Sequence, residues 1–237
     1  MENDRKSNLS VPIAIVIAGI IIAGALYFTD GTNVNAPGVD TNQDSQPLTV
    51  DINNVKVEGS PFIGDPNAPV VMAIWYDYQC PACQYGEQNL ISPLVAEYVK
   101  TGKLKILFKD FAFIGLPSIP DSLNLAITAK AVWEAYPDKF YEWHKIIFDN
   151  QGQENTGWAS KAVIAELTQK VSGIDISVIN ELIEKNSDIY LGQVEADRTE
   201  GAKFGVNATP SFIIGTTLKA GVPDYNSVKL LIDSLLN

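Results

Sequence analysis

Sulfur and imidazole are scarce in this chain. Its 237 residues include two cysteines, Cys80 and Cys83, and one histidine, His144. A zinc site would need two ligands beyond the cysteine pair, and His144 is the only imidazole on offer. Neither cysteine lies near the amino end, which excludes an N-terminal lipid-attachment thiol. Basic residues are also short, 17 Lys and Arg against 28 Asp and Glu, for a net charge of −11. A phosphate-binding surface must be basic, so nucleic acid is excluded as a partner. No internal repeat is visible. What is there, 46% hydrophobic residues over this length, suffices for one well-packed domain with additions.

The two cysteines stand together in Cys80-Pro81-Ala82-Cys83. Before them runs Val70 to Tyr76, nearly all apolar, the pattern of a central strand covered on both faces. After them a helical pattern begins at Pro81. Proline suits the first helical position, because its missing N–H would have had no partner there. Cys80 therefore falls at or beside the N-cap, where free N–H groups and the helix dipole stabilise a thiolate. Cys83, one turn along, can close a ring with Cys80 or release a bound partner. Three uses of such a pair compete. A structural disulfide across two residues restricts the unfolded chain little. Zinc lacks ligands. A redox-active pair fits both the spacing and the setting.

At the amino end, Arg5 and Lys6 precede an uncharged stretch from Ser7 to Thr29, almost wholly apolar from Val11 to Phe28. Roughly 20 such residues span a bilayer core. The length favours an uncleaved transmembrane anchor. A cleavable signal peptide is the alternative, with Ala23-Gly24-Ala25 as its exit site. Arg5 and Lys6 place the N-terminus in the cytoplasm and the remainder outside, where disulfides persist. Thr29 to Gln46 is polar and rich in Gly, Asn, Asp and Pro, the composition of a tether. The expected division is an anchor over 1–29, a tether with a possible edge strand over 30–58, and a folded domain over 59–237.

Partial alternation in Leu48 to Val57 suggests that edge strand. Two turn clusters, Gly59-Ser60-Pro61 and Gly64 to Pro69, lead into the central strand. The helix after Cys83 carries Leu90, Ile91, Leu94, Val95 and Tyr98 at helical spacing and ends near Thr101-Gly102. Pro93 predicts a kink or break within it. Leu104 to Phe108 reads as a second strand, parallel to the first across a helical crossover. Ile114 to Pro120 is a loop. From Asp121 to about Phe204 the pattern is helical, in segments near 122–136, 138–150, 158–171, 175–185 and 187–204. Asp175 and Gly205 are cap residues at its helix ends. Ser211 to Gly215 is a short strand, Thr216 to Gly221 its hairpin partner, and Val228 to Leu236 a closing amphipathic helix.

These features together resemble the DsbA family of thiol–disulfide oxidoreductases within the thioredoxin-like superfamily, over about Gly59 to Leu236. The likeness rests on Gly64-Asp65-Pro66-Asn67-Ala68-Pro69-Val70, Asp77-Tyr78-Gln79-Cys80-Pro81-Ala82-Cys83 and Lys109-Asp110-Phe111. Trp143-His144-Lys145-Ile146-Ile147-Phe148 and Thr209-Pro210-Ser211-Phe212 add to it. The Asp-Tyr-Gln-Cys-Pro form is that of membrane-tethered or secreted bacterial members. The resemblance implies an α/β thioredoxin-like fold with an inserted α-helical domain at about 121–204. It implies catalysis by Cys80 and Cys83, with Pro81 and Ala82 completing the redox motif and no metal or cofactor. It implies a cis peptide bond at Pro210, which with Thr209 holds an extended substrate beside the reactive sulfur. The implied partners are thiols of exported proteins and a membrane quinone-coupled redox protein that reoxidises the pair. A reductase or isomerase on the same fold, or a scaffold with a structural Cys pair, are the rival readings.

The chain departs from the family pattern at two places. Ala82 stands where the best-known member has histidine, so Cys80 lacks a side-chain donor there and should be less acidic and less oxidising. Ile74 stands six residues before Cys80, where relatives often bury a proton-ferrying acid. Asp77 could take that role, although solvation at a strand end is the simpler expectation. His144, among Phe140, Trp143, Ile147 and Phe148, reads as a core or capping residue. Tyr76, Tyr78 and Tyr85 fit either a substrate-facing rim or the core.

Overall fold

The computed structural model describes residues 50–115, 118 and 120–237. The apolar run at 11–28 and the tether up to residue 49 lie outside them. Among the described residues no helix is long and apolar enough to cross a membrane.

A five-stranded mixed sheet carries the site. Its strands are β1 (Phe62–Ile63), β2 (Val70–Tyr76), β3 (Leu104–Asp110), β4 (Ser211–Ile214) and β5 (Thr217–Ala220). Across the sheet they run β1-β3-β2-β4-β5. β2 and β3 pair in parallel from Val70–Leu104 to Tyr76–Asp110, and every other pair is antiparallel. Alternate residues of β2 enter opposite cores. Met72, Ile74 and Tyr76 pack with Leu90, Leu94, Phe140 and Trp143, while Ala73 and Trp75 pack with Val55, Phe204 and Val206. Burial on both faces explains why β2 reads as a continuous apolar run.

The edge strand expected within 48–57 is absent from residues 50–57. Asp51 accepts a hydrogen bond from the Asn53 N–H at 2.9 Å, an Asx turn that bends the chain into a 3-10 turn over Ile52–Asn54. The edge strand is β1 instead, two residues long and paired with β3.

The helix α1 runs over 81–99, and of the kink or break expected at Pro93 it shows a local distortion and no break. Stretches of π-helix, Glu87–Ile91 and Val95–Val99, flank Ser92–Leu94, and the Ser92 N–H reaches back to the Glu87 carbonyl. A proline ring crowds the carbonyl four residues back, and widened turns make room for it. Between β3 and β4 come α2 (Asp121–Ala135), α3 (Phe140–Asp149), α4 (Lys161–Gln169) and α5 (Ile176–Lys203). α5 is one helix of 28 residues, where two segments are expected from the sequence. Lys185-Asn186-Ser187-Asp188 contains neither Gly nor Pro, so its polarity marks a solvent-side stretch instead of a break. Asp175 caps the start of α5 by accepting from Ser177 N–H at 2.8 Å. Gly205, at φ +88°, ends it: the Val206 and Gly205 N–H groups bond the Gly201 and Ala202 carbonyls. A final helix, α6 (Tyr225–Leu235), follows β5.

Buried charge ties the inserted helices to the sheet. Lys109 on β3 contacts Asp197 at 3.1 Å and Glu200 at 2.8 Å, both on α5. Lys130 on α2 contacts Asp110 at 2.9 Å and Asp197 at 2.6 Å. Gly201 completes the contact, because a Cβ there would lie 2.6 Å from Trp75 Nε1. That indole N–H donates to the Asp197 carbonyl at 2.9 Å.

Candidate active site

The carboxyl end of β2 delivers the chain to the cysteines. The Cys80 N–H bonds the Asp77 carbonyl at 3.1 Å, closing a turn. Cys80 is then the N-cap of α1, at φ −73° and ψ 118°, with Pro81 in the first turn. Its carbonyl accepts from the N–H groups of Cys83 at 3.0 Å and Gln84 at 3.2 Å. Both cysteines are free thiols, Cys80 8% exposed and Cys83 3%.

β4 brings the second half of the site. Antiparallel pairing of Ser211 with Trp75 sets the residues before β4 alongside the chain just past the end of β2. Those residues are Thr209 and Pro210, joined by a cis peptide bond. The Cys80 thiol donates to the Thr209 carbonyl at 3.4 Å. Gly86 leaves room for the chain after β5 against α1, since a Cβ there would meet Val222 Cγ2 at 3.3 Å, with Pro210 Cγ in ordinary contact at 3.7 Å. The structure thus gathers Cys80, Pro81, Ala82, Cys83, Thr209 and Pro210, all six residues marked in the sequence.

The two sulfurs differ in acidity. Hydrogen bonding from the Cys83 side chain is the chief cause that holds Cys80 down at about 6, against the opposing effect of burial. The Thr209 side chain and the N–H groups of Cys83 and Ala82 act in the same direction. The Thr209 hydroxyl is buried without a partner while the sulfurs are thiols, and it favours the ionised form of Cys80. Burial first, and then donation to Cys80, push Cys83 well above the ordinary thiol value. One sulfur is a ready thiolate and its neighbour keeps its proton.

Hydrogen bonds link the redox segment and the start of α1 to the 113–114 loop and the inserted region. Asp77 is buried, which corrects the expectation of a solvated strand end. Its Oδ1 accepts from Gln79 N–H at 2.8 Å and Ser122 Oγ at 2.5 Å, and its Oδ2 from Phe113 and Ile114 N–H at 2.9 Å each. Burial pushes its carboxyl up, against those hydrogen bonds. Gln79 donates to the Ile114 carbonyl and Ser122 Oγ and accepts from Asn155 N–H. Gln84 donates to the Phe148 carbonyl at 2.7 Å. Gln151 donates to the carbonyls of Tyr78 and Cys80. Sequence reasoning gives no role to Gln79, Gln84 or Gln151, whose partners lie 35 to 76 positions away.

Tyr76 and Tyr78 are core residues, while Tyr85 is 59% exposed. His144 is buried against Tyr76, Phe108 and Phe148, with Nδ1 2.9 Å from Tyr78 Oη. Its core reading holds. Ile74 is buried in the apolar core, so no acid sits at that position. The buried acid of α1 is Glu87, one turn past Cys83, which accepts from Tyr141 Oη at 2.7 Å and Ser92 Oγ at 3.1 Å.

Comparison with known proteins agrees with this architecture. A family model described as thioredoxin matches residues 56–234. Disulfide bond formation protein D of Bacillus subtilis is 24% identical over 180 residues, spanning 76% of this chain and 78% of that protein. The probable disulfide bond formation protein D of Bacillus cereus is 26% identical over 175 residues, spanning 73% of this chain and 77% of the relative. The crystal structure of oxidised BdbD from Bacillus subtilis superposes with a TM-score of 0.68 at 24% identity, covering 76% of this chain and 95% of that one. The thiol-disulfide exchange protein alpha-DsbA2 from Wolbachia pipientis gives 0.65 at 27% identity, covering 74% and 87%.

Proposed function

The chain belongs to the thioredoxin family, and from that premise we propose that it is a thiol–disulfide oxidoreductase that introduces disulfide bonds into exported proteins through Cys80 and Cys83. The observation that carries this reading is the geometry of the pair: Cys80 caps α1 beside the cis Thr209–Pro210 bond, 3.4 Å from the Thr209 carbonyl, with Cys83 buried one turn behind it. In the disulfide form a substrate thiolate attacks Cys80, the less deeply buried of the two cysteines. The Cys80–Cys83 bond breaks, a mixed disulfide forms at Cys80, and Cys83 leaves and takes up a proton. A second substrate thiolate then attacks the substrate sulfur. Cys80 departs readily because its pKa is low, and a low-pKa thiol is the better leaving group. The substrate gains a disulfide and the enzyme pair gains two electrons, with one proton held on Cys83 and Cys80 left as the thiolate. A protonated Cys83 is a poor nucleophile, so it rarely reverses the first step before the second thiol arrives.

Thr209 and Pro210 flank the reacting sulfur and offer main chain against which an extended substrate can pair. The apolar run at 11–28 anchors the protein in the membrane with residues 1–29 as anchor and cytoplasmic tip. Residues 30–58 link the anchor to the catalytic domain, 59–237, on the extracytoplasmic side. Substrates emerge at that membrane, and a quinone-coupled membrane partner reoxidises the pair there. The sequence supports this placement through Arg5, Lys6 and the length of the run.

Trapping tests the mechanism. With Cys83→Ser, exported proteins accumulate as mixed disulfides on Cys80, and with Cys80→Ser none form. Full activity in both variants would contradict a redox role.

A further inference from the structure

Gln151 lies just past the end of α3, where a plain loop residue would suffice. Its side-chain amide instead forks onto two main-chain carbonyls of the redox segment, Tyr78 at 2.7 Å and Cys80 at 3.1 Å. The Cys80 carbonyl is the one that starts α1, already bonded by Cys83 and Gln84 N–H. We infer that Gln151 is a positioning residue of the redox reaction: by pinning both carbonyls that flank Gln79, it fixes the N-cap geometry that presents Cys80 to its stabilising N–H groups. This deepens the proposed oxidoreductase reading and rests on it.

The effect differs between the two redox states. In the disulfide, a covalent ring through Cys83 holds the Cys80 sulfur in place. In the dithiol only non-covalent contacts do so, and the N–H groups of Cys83 and Ala82 stabilise a thiolate only when aligned with it. Loosening the carbonyls therefore weakens the reduced state more than the oxidised one. The inserted helices thereby influence the chemistry of the sulfurs without touching them.

Gln84 supplies the control. Its side chain bonds the same inserted region, at the Phe148 carbonyl, without engaging either pinned carbonyl. Three full-length proteins, wild type, Gln151→Met and Gln84→Leu, are titrated in the dithiol form by ultraviolet thiolate absorbance and equilibrated with glutathione. Gln151→Met should raise the Cys80 midpoint by about half a pH unit and shift the equilibrium about threefold toward the disulfide, which is ~15 mV. Gln84→Leu should lower the melting temperature and leave the Cys80 midpoint in place. An unchanged midpoint in Gln151→Met, or equal shifts in both variants, would overturn the assignment. Should Gln151→Met not fold, Gln151→Leu removes the same amide without adding charge and is read in the same way. A wild-type pair that exchanges no substrate disulfides would instead defeat the oxidoreductase reading itself.

Discussion

The Cys80 sulfur and the Thr209 carbonyl oxygen, 129 positions apart in the chain, meet at 3.4 Å. The pairing of β4 with β2 makes that contact, and with it a site in which a sulfur and a stretch of substrate-facing main chain share one edge. Thr209 also contributes a buried hydroxyl without a partner, which acts to lower the Cys80 value. Thr209→Val keeps the shape and deletes that donor. The Cys80 midpoint should rise by about half a unit, read as the pH profile of alkylation. An unmoved profile would show that the hydroxyl does not stabilise the thiolate.

Stability of the reduced protein should depend on pH in a defined direction. The folded value of Cys80, about 6, lies below the ordinary value of 9.0. Ionisation therefore favours the folded state. Its contribution is complete above the ordinary value and is lost as the pH falls through 6. Denaturant titrations of the dithiol and disulfide forms should show the dithiol losing ground to the disulfide between pH 8 and pH 5. A constant difference over that range would contradict the assigned acidity.

Asp77→Asn should be costly despite its small size. Each carboxylate oxygen accepts from two donors, so either orientation of the amide turns an NH2 group against a pair of donors. Leaving such buried groups unpaired costs about 2 kcal/mol or more. Urea unfolding measures it, and a loss near zero would mean that the carboxylate is not the hub of the 113–122 region.

Lys130→Met strips the counter-charge from Asp110 and Asp197. Removing one partner from a buried ion cluster costs about 3–5 kcal/mol, mostly as uncompensated charge. The same unfolding assay should show it, while an exposed pair such as Lys145–Asp149 can be broken at a cost below about 1 kcal/mol. Comparable losses at the two sites would contradict the burial argument.

Much of the site could be read in the chain because its signals are local. Val70 to Tyr76 is apolar on both faces, and the Cys-Pro pair marks a helix start, so strand, N-cap and sulfur follow from adjacent residues. The family likeness supplied Thr209 and Pro210. Other features depend on distant partners and leave no periodic trace. Asp77 is buried because Phe113, Ile114 and Ser122 turn donors toward it, and nothing beside it in sequence says so. β1 is too short to show a period of two, and the alternation in 50–57 is cut by the Asp51 turn. α5 looks divided because its polar middle faces solvent.

Ala82 is exposed, so a histidine fits there without displacing the core. Ala82→His adds a donor, and when protonated a positive charge, beside the Cys80 thiolate. The Cys80 midpoint should fall and the reduction potential should rise, by up to about 30 mV for each tenfold gain in the reduced form. No rise would show that this side chain does not tune the pair.

The reduction potential of Cys80–Cys83 bears most directly on the proposed role. A disulfide donor must hold a less stable disulfide than the ones it makes. Equilibration with glutathione should place the pair between about −200 and −120 mV, on the oxidising side of thioredoxin-like reductants. A value near or below about −270 mV would contradict disulfide donation and assign the protein to the reducing branch of its family.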